Sequence, residues 1–425
     1  MKKSLHCILS SFFLLTTTIL ADWHHWRGPT QNGISSATNL PDSWSEAKNL
    51  LWKIPLPAPS SSTPVIVGNK IFLTVDITES VHKATVQLLC ISTEGVELWR
   101  RKISDVPGGY KNGESNFATP SPSADRNHIY VMTGTGVVAA FTHTGEKKWS
   151  FNVQEKYGKF KLGFGYHVTP VLHEKALYIQ LINTKYQIVL GIEAETGQRL
   201  WKVNRPSDGK VEALDSYASP TAIRYGSTNV VITHGHDYTI GHDPRTGKEL
   251  WRIGDLNPRL RYNRSFRFVA SPVTYKNLII APTAKNGCVA AVDLTKAKGF
   301  IPKGGNAEEW RISKGTPDVP SPLIYNGLVY LCRENGVGIC LDAKTGEKYY
   351  EARVYTQDFR SSPVAAAGKV FFTARDGTVS VLKAGKKFEI ISQNKLDDQF
   401  TASTAISDNR LYLRGYKSLY CIGKK

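Results

Sequence analysis

Short apolar runs, each opened by a polar turn, follow one another along most of the chain. Ile71–Thr74, Ile129–Met132, Ala176–Ile179, Leu328–Leu331 and Val370–Thr373 all come after Gly, Asn or Lys turns. Runs this short, bounded by turn residues and rich in β-branched and aromatic side chains, predict strands.

Two markers recur in phase with the strands. The first is a Ser/Thr-Pro step leading into an apolar strand, at Thr63-Pro64, Thr119-Pro120, Thr169-Pro170, Ser219-Pro220, Ser271-Pro272, Ser321-Pro322 and Ser362-Pro363. Ser403-Thr404-Ala405 is a degenerate eighth copy. The second is a Thr-Gly turn, or its like, a few residues ahead of an aromatic. Gly95 precedes Trp99, Gly145 precedes Trp149, Gly197 precedes Trp201, Gly247 precedes Trp251 and Gly346 precedes Tyr349, while Trp310 and Phe388 close looser copies. Four short strands in every 40–50 or so residues make a propeller blade. The Gly permits a left-handed turn, and the aromatic fills the wedge between neighbouring sheets.

The ends of the chain settle the count. Trp52 precedes the first Ser/Thr-Pro, and the last unit, through Leu411–Leu413 and Leu419–Cys421, stops without an aromatic strand. The pattern predicts an all-β, eight-bladed propeller of four-stranded antiparallel blades whose N-terminal strand completes the last blade and hides both edges. Seven blades is the alternative if one unit is irregular.

Ahead of the repeats, Lys2 and Lys3 precede an apolar, Ser/Thr-containing stretch from Ile8 to Leu20, with Ala21 as a cleavage residue. This reads as a signal peptide over 1–21, followed by one propeller domain over 22–425. The stretch is too short to span a bilayer, and no later run reaches that length. Cys7 falls too early for a lipoprotein signal, so a periplasmic or extracellular protein that is not a lipoprotein is expected. Beyond the signal lie Cys90, Cys288, Cys332, Cys340 and Cys421, an odd number that leaves one thiol unpaired in the expected monomer. Cys332 and Cys340 flank a turn and are either a cross-strand disulfide or two buried thiols.

The formal net charge is +18, which speaks to anionic partners: acidic glycans, lipid headgroups or a polycarboxylate. No nucleic-acid-binding motif is present. Residues 100–119, 150–169, 202–219 and 252–271, the four longest connections from an aromatic strand to the next Ser/Thr-Pro, carry about half of this charge. Such connections end near the propeller axis, and long loops on a rigid scaffold are where binding residues gather. In the last of them Arg259, Arg261, Arg264 and Arg267 alternate with Tyr262, Phe266 and Phe268. Guanidinium groups beside aromatic faces suit carboxylates, sugars or planar acids. The ligand-binding candidates are Arg261, Arg264, Arg267, Tyr262, Phe268, Tyr166, His167, Asn116 and Arg360. Tyr217 and Asp398 also lie just ahead of inner strands. Asp215 and Asp358 are the candidate bases if the chain is an enzyme. His234, His236 and His242 are of the type that zinc takes, but they read as polar residues of a hairpin, and no metal is expected. GxSxG, HExxH and Walker motifs are absent.

Cys340–Lys348, with its Leu-Asp-Ala-Lys-Thr-Gly core and Tyr349 in the aromatic place, resembles the repeat of quinoprotein dehydrogenases and of the BamB-type outer-membrane assembly factor. Trp23–Gly33, containing Trp26-Arg27-Gly28-Pro29, looks like the opening of secreted PQQ-like repeat proteins of planctomycete-type bacteria. The resemblance covers the mature chain. It implies a propeller, and either a scaffold or an enzyme using pyrroloquinoline quinone (PQQ) with calcium. In quinoprotein dehydrogenases the resemblance further implies an adjacent-cysteine disulfide, Glu, Asn and Asp around the calcium, and a catalytic Asp. This chain has no adjacent cysteines. The expectation is therefore a non-catalytic binding or assembly protein, without cofactor, for an anionic or glycan ligand or an envelope partner. A quinone-dependent alcohol or sugar dehydrogenase is the alternative.

Overall fold

A computed structural model describes residues 22–80, 83–106, 115–162 and 165–425. The signal-peptide reading of 1–21 lies outside these. Among the described residues the strands form eight sheets in a closed ring. Each blade runs from an inner to an outer strand as consecutive antiparallel hairpins. Blade 6 is typical, with Leu323–Tyr325, Leu328–Cys332, Val337–Asp342 and Lys348–Arg353. Its second strand is buried on both faces because blades press on it from both sides, whereas the outer strand alternates with solvent.

Blade 8 takes its outer strand from the other end of the chain. Leu50–Pro55 pairs antiparallel with Ser418–Ile422, with Trp52 opposite Cys421. The ring thus closes without an open edge, as the markers predict. Blade 4 departs from the plan. Gly299–Ile301, from a long hairpin of blade 5, adds to the outer strand Glu249–Ile253 as a fifth, parallel strand.

The second marker is the joint between blades. Trp99 Nε1 donates to the His143 carbonyl, Trp149 to Ala194, Trp201 to Pro244 and Trp310 to Ala343, each acceptor lying at or beside the Thr-Gly turn of the following blade. Trp52 does the same across the closure, onto Thr93. The glycine of that turn lies under the indole. At Gly197, with φ +73°, a Cβ would stand 2.6 Å from Trp149. Between blades 4 and 5 the turn is Thr295-Lys296, with no glycine, and Trp251 instead lies against Gly241 of its own blade. That is the joint where the parallel strand is added.

Cys332 pairs with Gly338 and Cys340 with Tyr330, so the two sulfurs do not face each other, and the five described cysteines are all free thiols. The register rules out the cross-strand disulfide.

Before reaching Leu50 the chain crosses one end of the ring. Trp23 bridges to Ile66 of blade 1, the His24 carbonyl accepts from Ala124 of blade 2, Gln31 accepts from Thr221 and Ala222 of blade 4, and Ser35 bonds Ala365 of blade 7. Arg27 is the bolt of this plug. It is 3% exposed, and its guanidinium donates to the carbonyls of Pro363 and Pro322 at 2.8 Å and of Asn32 at 3.1 Å. No carboxylate among the described residues pairs with it, and burial pulls its pKa down to about 9.

Candidate ligand site on the propeller axis

The first marker builds the centre of the molecule. The backbone N–H of Thr63 donates to the hydroxyl of Ser121 in the next blade. Ser121 donates in turn to Thr169, Thr169 to Ser219, and so on through Ser271, Ser321, Ser362 and Ser403, which returns to Thr63. The eight bonds span 2.9 to 3.2 Å and close a circle around the axis. In seven of the eight the next residue is a proline, which has no N–H to satisfy and fixes the entry into the inner strand, while Ser403 is followed by Thr404. In blade 2 the ring residue is Ser121, ahead of Pro122, not Thr119 ahead of Pro120. Thr119-Pro120-Ser121-Pro122 offers two equivalent steps, and only the second leads directly into the strand Ser123–Ala124.

Each ring hydroxyl spends a lone pair on its neighbour's N–H and keeps its own hydrogen. The ring lines an axial cavity of about 280 Å³. Trp26 of the plug also lines it, with its indole N–H buried and without a protein acceptor. Towards the other mouth the walls come from the outer-to-inner loops: His167, Tyr217, Arg267, Asp318 and Arg360. The His167 and Tyr217 rings lie 5.8 Å apart. Arg267 stands 3.3 Å from Glu212 and 3.7 Å from Asp318. The arrangement sets hydroxyl donors at the base, two guanidiniums and a carboxylate higher up, and aromatic rings at the side.

Of the residues singled out from sequence, Arg267, His167 and Arg360 meet at this cavity, and Tyr217 with them. The others lie elsewhere. Phe268 is fully buried between blades 4 and 5, its ring 4.6 Å from that of His234. Tyr166 is buried, stacks on Phe160 and donates its hydroxyl to the Gln180 carbonyl at 2.6 Å. Tyr262 donates to Asp237 at 2.6 Å. Arg261 and Arg264 are exposed on the outer part of their loop. Asn116 ties its turn to the Pro59 carbonyl and to Ala118 N–H. Asp215 is buried and accepts from Thr184 at 2.8 Å, and Asp358 is exposed. Asp398 is buried in blade 8 and accepts from the backbone of Tyr416, Lys417 and Ser418. Trp26 and Asp318 were not singled out. The Trp-Arg-Gly-Pro opening was the signal for Trp26, but nothing local says that it folds back to the axis.

Two of the three blade 4 histidines have ring partners, while both ring nitrogens of His236 and Nε2 of His234 are buried without a hydrogen-bond partner among the described residues. His234 Nδ1 lies 2.8 Å from Thr239, and His242 lies 3.0 Å from both Thr233 and the Gly247 carbonyl. Burial lowers the pKa of His234 to about 3 and that of His236 and His242 to about 4. No group of three His, Cys, Asp or Glu side chains among the described residues converges as a metal site. A quinone seated on a calcium ion needs several oxygen ligands together. Asp318, the carboxylate on the cavity wall, is already beside Arg267, and no cysteine lines the cavity. The described donors do not fit that cofactor pair.

A family model described as outer membrane protein assembly factor BamB matches residues 82–311 and 303–387. No curated relative matches the sequence. Among solved structures, BamB from Moraxella catarrhalis superposes with a TM-score of 0.61 at 13% identity, covering 88% of this chain and 99% of that one. A europium-containing methanol dehydrogenase gives 0.67 at 11% identity over 94% and 90%. The quinohemoprotein alcohol dehydrogenase of Comamonas testosteroni gives 0.65 at 14% over 95% and 81%. At such identities the structures share a fold, which here serves both an assembly factor and dehydrogenases. With most of its length matched, the chain belongs to the BamB-type PQQ-like repeat family of β-propellers.

Proposed function

We propose that the chain is an exported, non-catalytic binding propeller that takes a carboxylate-bearing sugar, or a similar hydroxylated acid, into the axial cavity. The observation that carries this reading is the pairing of a closed hydroxyl ring with Arg267 and Arg360 above it in one cavity. Hydroxyl hydrogens and guanidinium forks both donate, so the site favours ligands rich in acceptors. Asp318 offers an acceptor for a sugar hydroxyl, and the His167 and Tyr217 rings supply faces for its apolar side. The buried Trp26 N–H, left without a protein acceptor, adds one more donor. Export rests on the Lys2–Ala21 sequence. An envelope protein as a further partner is in keeping with the family description.

Titration calorimetry with short uronic-acid oligosaccharides and their neutral counterparts tests this. Acidic chains are expected to bind and neutral ones to bind at least tenfold more weakly, with Arg267→Ala and Arg360→Ala each losing most of the affinity. Equal binding of both series, or none at millimolar ligand, would sink the proposal. Reduction of a dye by alcohols in the presence of PQQ and calcium would move the assignment to the dehydrogenase reading.

A further inference from the structure

We propose that the tip of the loop Pro258–Tyr262, with the adjoining Lys210–Glu212, docks the open mouth of the propeller onto an anionic lipid surface. Leu260 and Val211 would enter the interface while Arg261, Arg264 and Lys210 meet the headgroups. The case begins with Leu260. It is 101% exposed, at the apex of the short turn Arg259–Arg261. Val211, on the loop alongside, is 51% exposed and holds φ at +58°. A β-branched side chain at positive φ is strained, and such strain persists only where the surroundings impose it.

Here the surroundings do impose it. Lys210 N–H donates to the Tyr262 hydroxyl at 2.8 Å, and Glu212 N–H donates to the Arg264 carbonyl at 3.0 Å. Below them Tyr262 is tied to Asp237, Asn257 to the Asn263 carbonyl, and Arg259 to Asp208. Asp237 belongs to the hairpin turn His236-Asp237, where both residues also take positive φ. A framed base therefore holds two apolar side chains out into solvent, so little ordering cost remains to be met on binding.

Charge selects the partner. From Arg259 to Ser271 there is no acidic residue, and Arg261 and Arg264 are exposed and make no ion pair among the described residues. Arg259, Arg261, Arg264 and Lys210 outnumber the nearby carboxylates, Asp208 paired with Arg259 and Glu212 beside Arg267, and an apolar apex with a net cationic rim is the composition of an interfacial anchor. Among the described residues the other exposed large apolar side chains, Val96, Leu98, Leu200, Phe300, Ile390 and Ile391, lie on or beside outer strands around the wall. A planar surface meeting the mouth would not touch them. Leu260 stands out from its loop, which suits a soft interface that admits one side chain at any point. The proposal relies on the exported-protein reading only for where the lipid is met.

The test is flotation of the full chain with vesicles of phosphatidylglycerol and phosphatidylcholine, against phosphatidylcholine alone, at low salt. Binding is expected to the anionic vesicles only. Leu260→Asp should weaken it at least tenfold and Leu260→Trp preserve it. Arg261→Ala and Arg264→Ala should each cost about fivefold. All three positions are on the surface, and unchanged thermal melts confirm that the four variants fold. Failure of the wild type to prefer anionic vesicles, or Leu260→Asp binding like wild type, overturns the proposal. So does retention on polyglutamate beads without vesicle binding, which would put an acidic protein in place of lipid. Uronate binding through Arg267 and Arg360 is read separately and survives any of these results.

Discussion

At one mouth of the axial channel the segment Trp23–Ser35 crosses the ring and bonds to blades 1, 2, 4 and 7, with Arg27 reaching blades 6 and 7 at its centre. At the other mouth the described loops leave Arg267, Arg360 and His167 around a cavity. Both mouths use arginine, yet in opposite settings. Arg27 is buried and bonded to backbone carbonyls, whereas Arg267 is partly solvated between two carboxylates. A buried cation bonded to backbone carbonyls is part of the structure, and one at a cavity wall faces the space that a ligand would enter. The net positive charge alone does not distinguish them.

Acid should stress the sealed parts most. His25 in the plug is held neutral, at about 3, by burial and then by the neighbouring charges of His24 and Arg27. His234, His236 and His242 are held low in the same way inside blade 4. In the unfolded chain each takes a proton near the ordinary histidine value of about 6.5, while in the fold it does so only near 3 to 4. Stability is therefore fully present above about pH 7 and falls as the pH drops through the window from 6.5 to 4, by up to about 1.4 kcal/mol per pH unit for each histidine. Urea midpoints measured from pH 8 to 4 should show a plateau and then a steep decline. A flat profile would mean that these rings are not buried in neutral form.

Arg27→Ala should be the costliest single change, at about 3–5 kcal/mol, because it strands three buried carbonyls and empties the centre of the plug. Next comes Gly197→Ala. The turn needs positive φ, and the new Cβ would collide with Trp149, so about 2–3 kcal/mol is expected in chemical denaturation. The same change at Gly226, also at positive φ but with nothing near it, should cost only the backbone part, about 1 kcal/mol. If the two cost the same, the joint between blades is not made by the indole over the glycine. Ser219→Ala, which removes one acceptor from the hydroxyl ring, should cost about 1–2 kcal/mol.

The fold was legible because its two markers are local. An indole lies over a turn glycine at five of the eight joints, and a ring hydroxyl opens every blade, and each serves contact with the next blade, so counting the two together counts blades. What stayed hidden was whatever depends on distant parts of the chain. Arg27 meets Pro363, and no spacing announces that. The parallel strand Gly299–Ile301 was hidden because its partner belongs to the previous blade. Within the basic loop, alternation of arginine and aromatic residues suggested one binding surface. The fold divides it, with Phe268 in the core, Tyr262 bracing a turn, Arg267 at the axis and Arg261 outside. Alternation puts side chains on two sides, and the sequence does not say which side has the ligand.

Arg267→Ala is the smallest change in stability expected here, and it tests the contrast between the mouths most directly. Its side chain is 28% exposed, and its contacts to Glu212 and Asp318 are 3.3 and 3.7 Å long. Solvated pairs of this kind contribute about 0–1 kcal/mol. Removing the guanidinium leaves two carboxylates that water can reach, so no buried charge is stranded. Thermal melts of Arg267→Ala and Arg27→Ala side by side should separate them by several degrees, with the Arg267 variant close to wild type. A large loss of stability at Arg267 would make the open mouth as structural as the plugged one, and the cavity would then be a by-product of the ring.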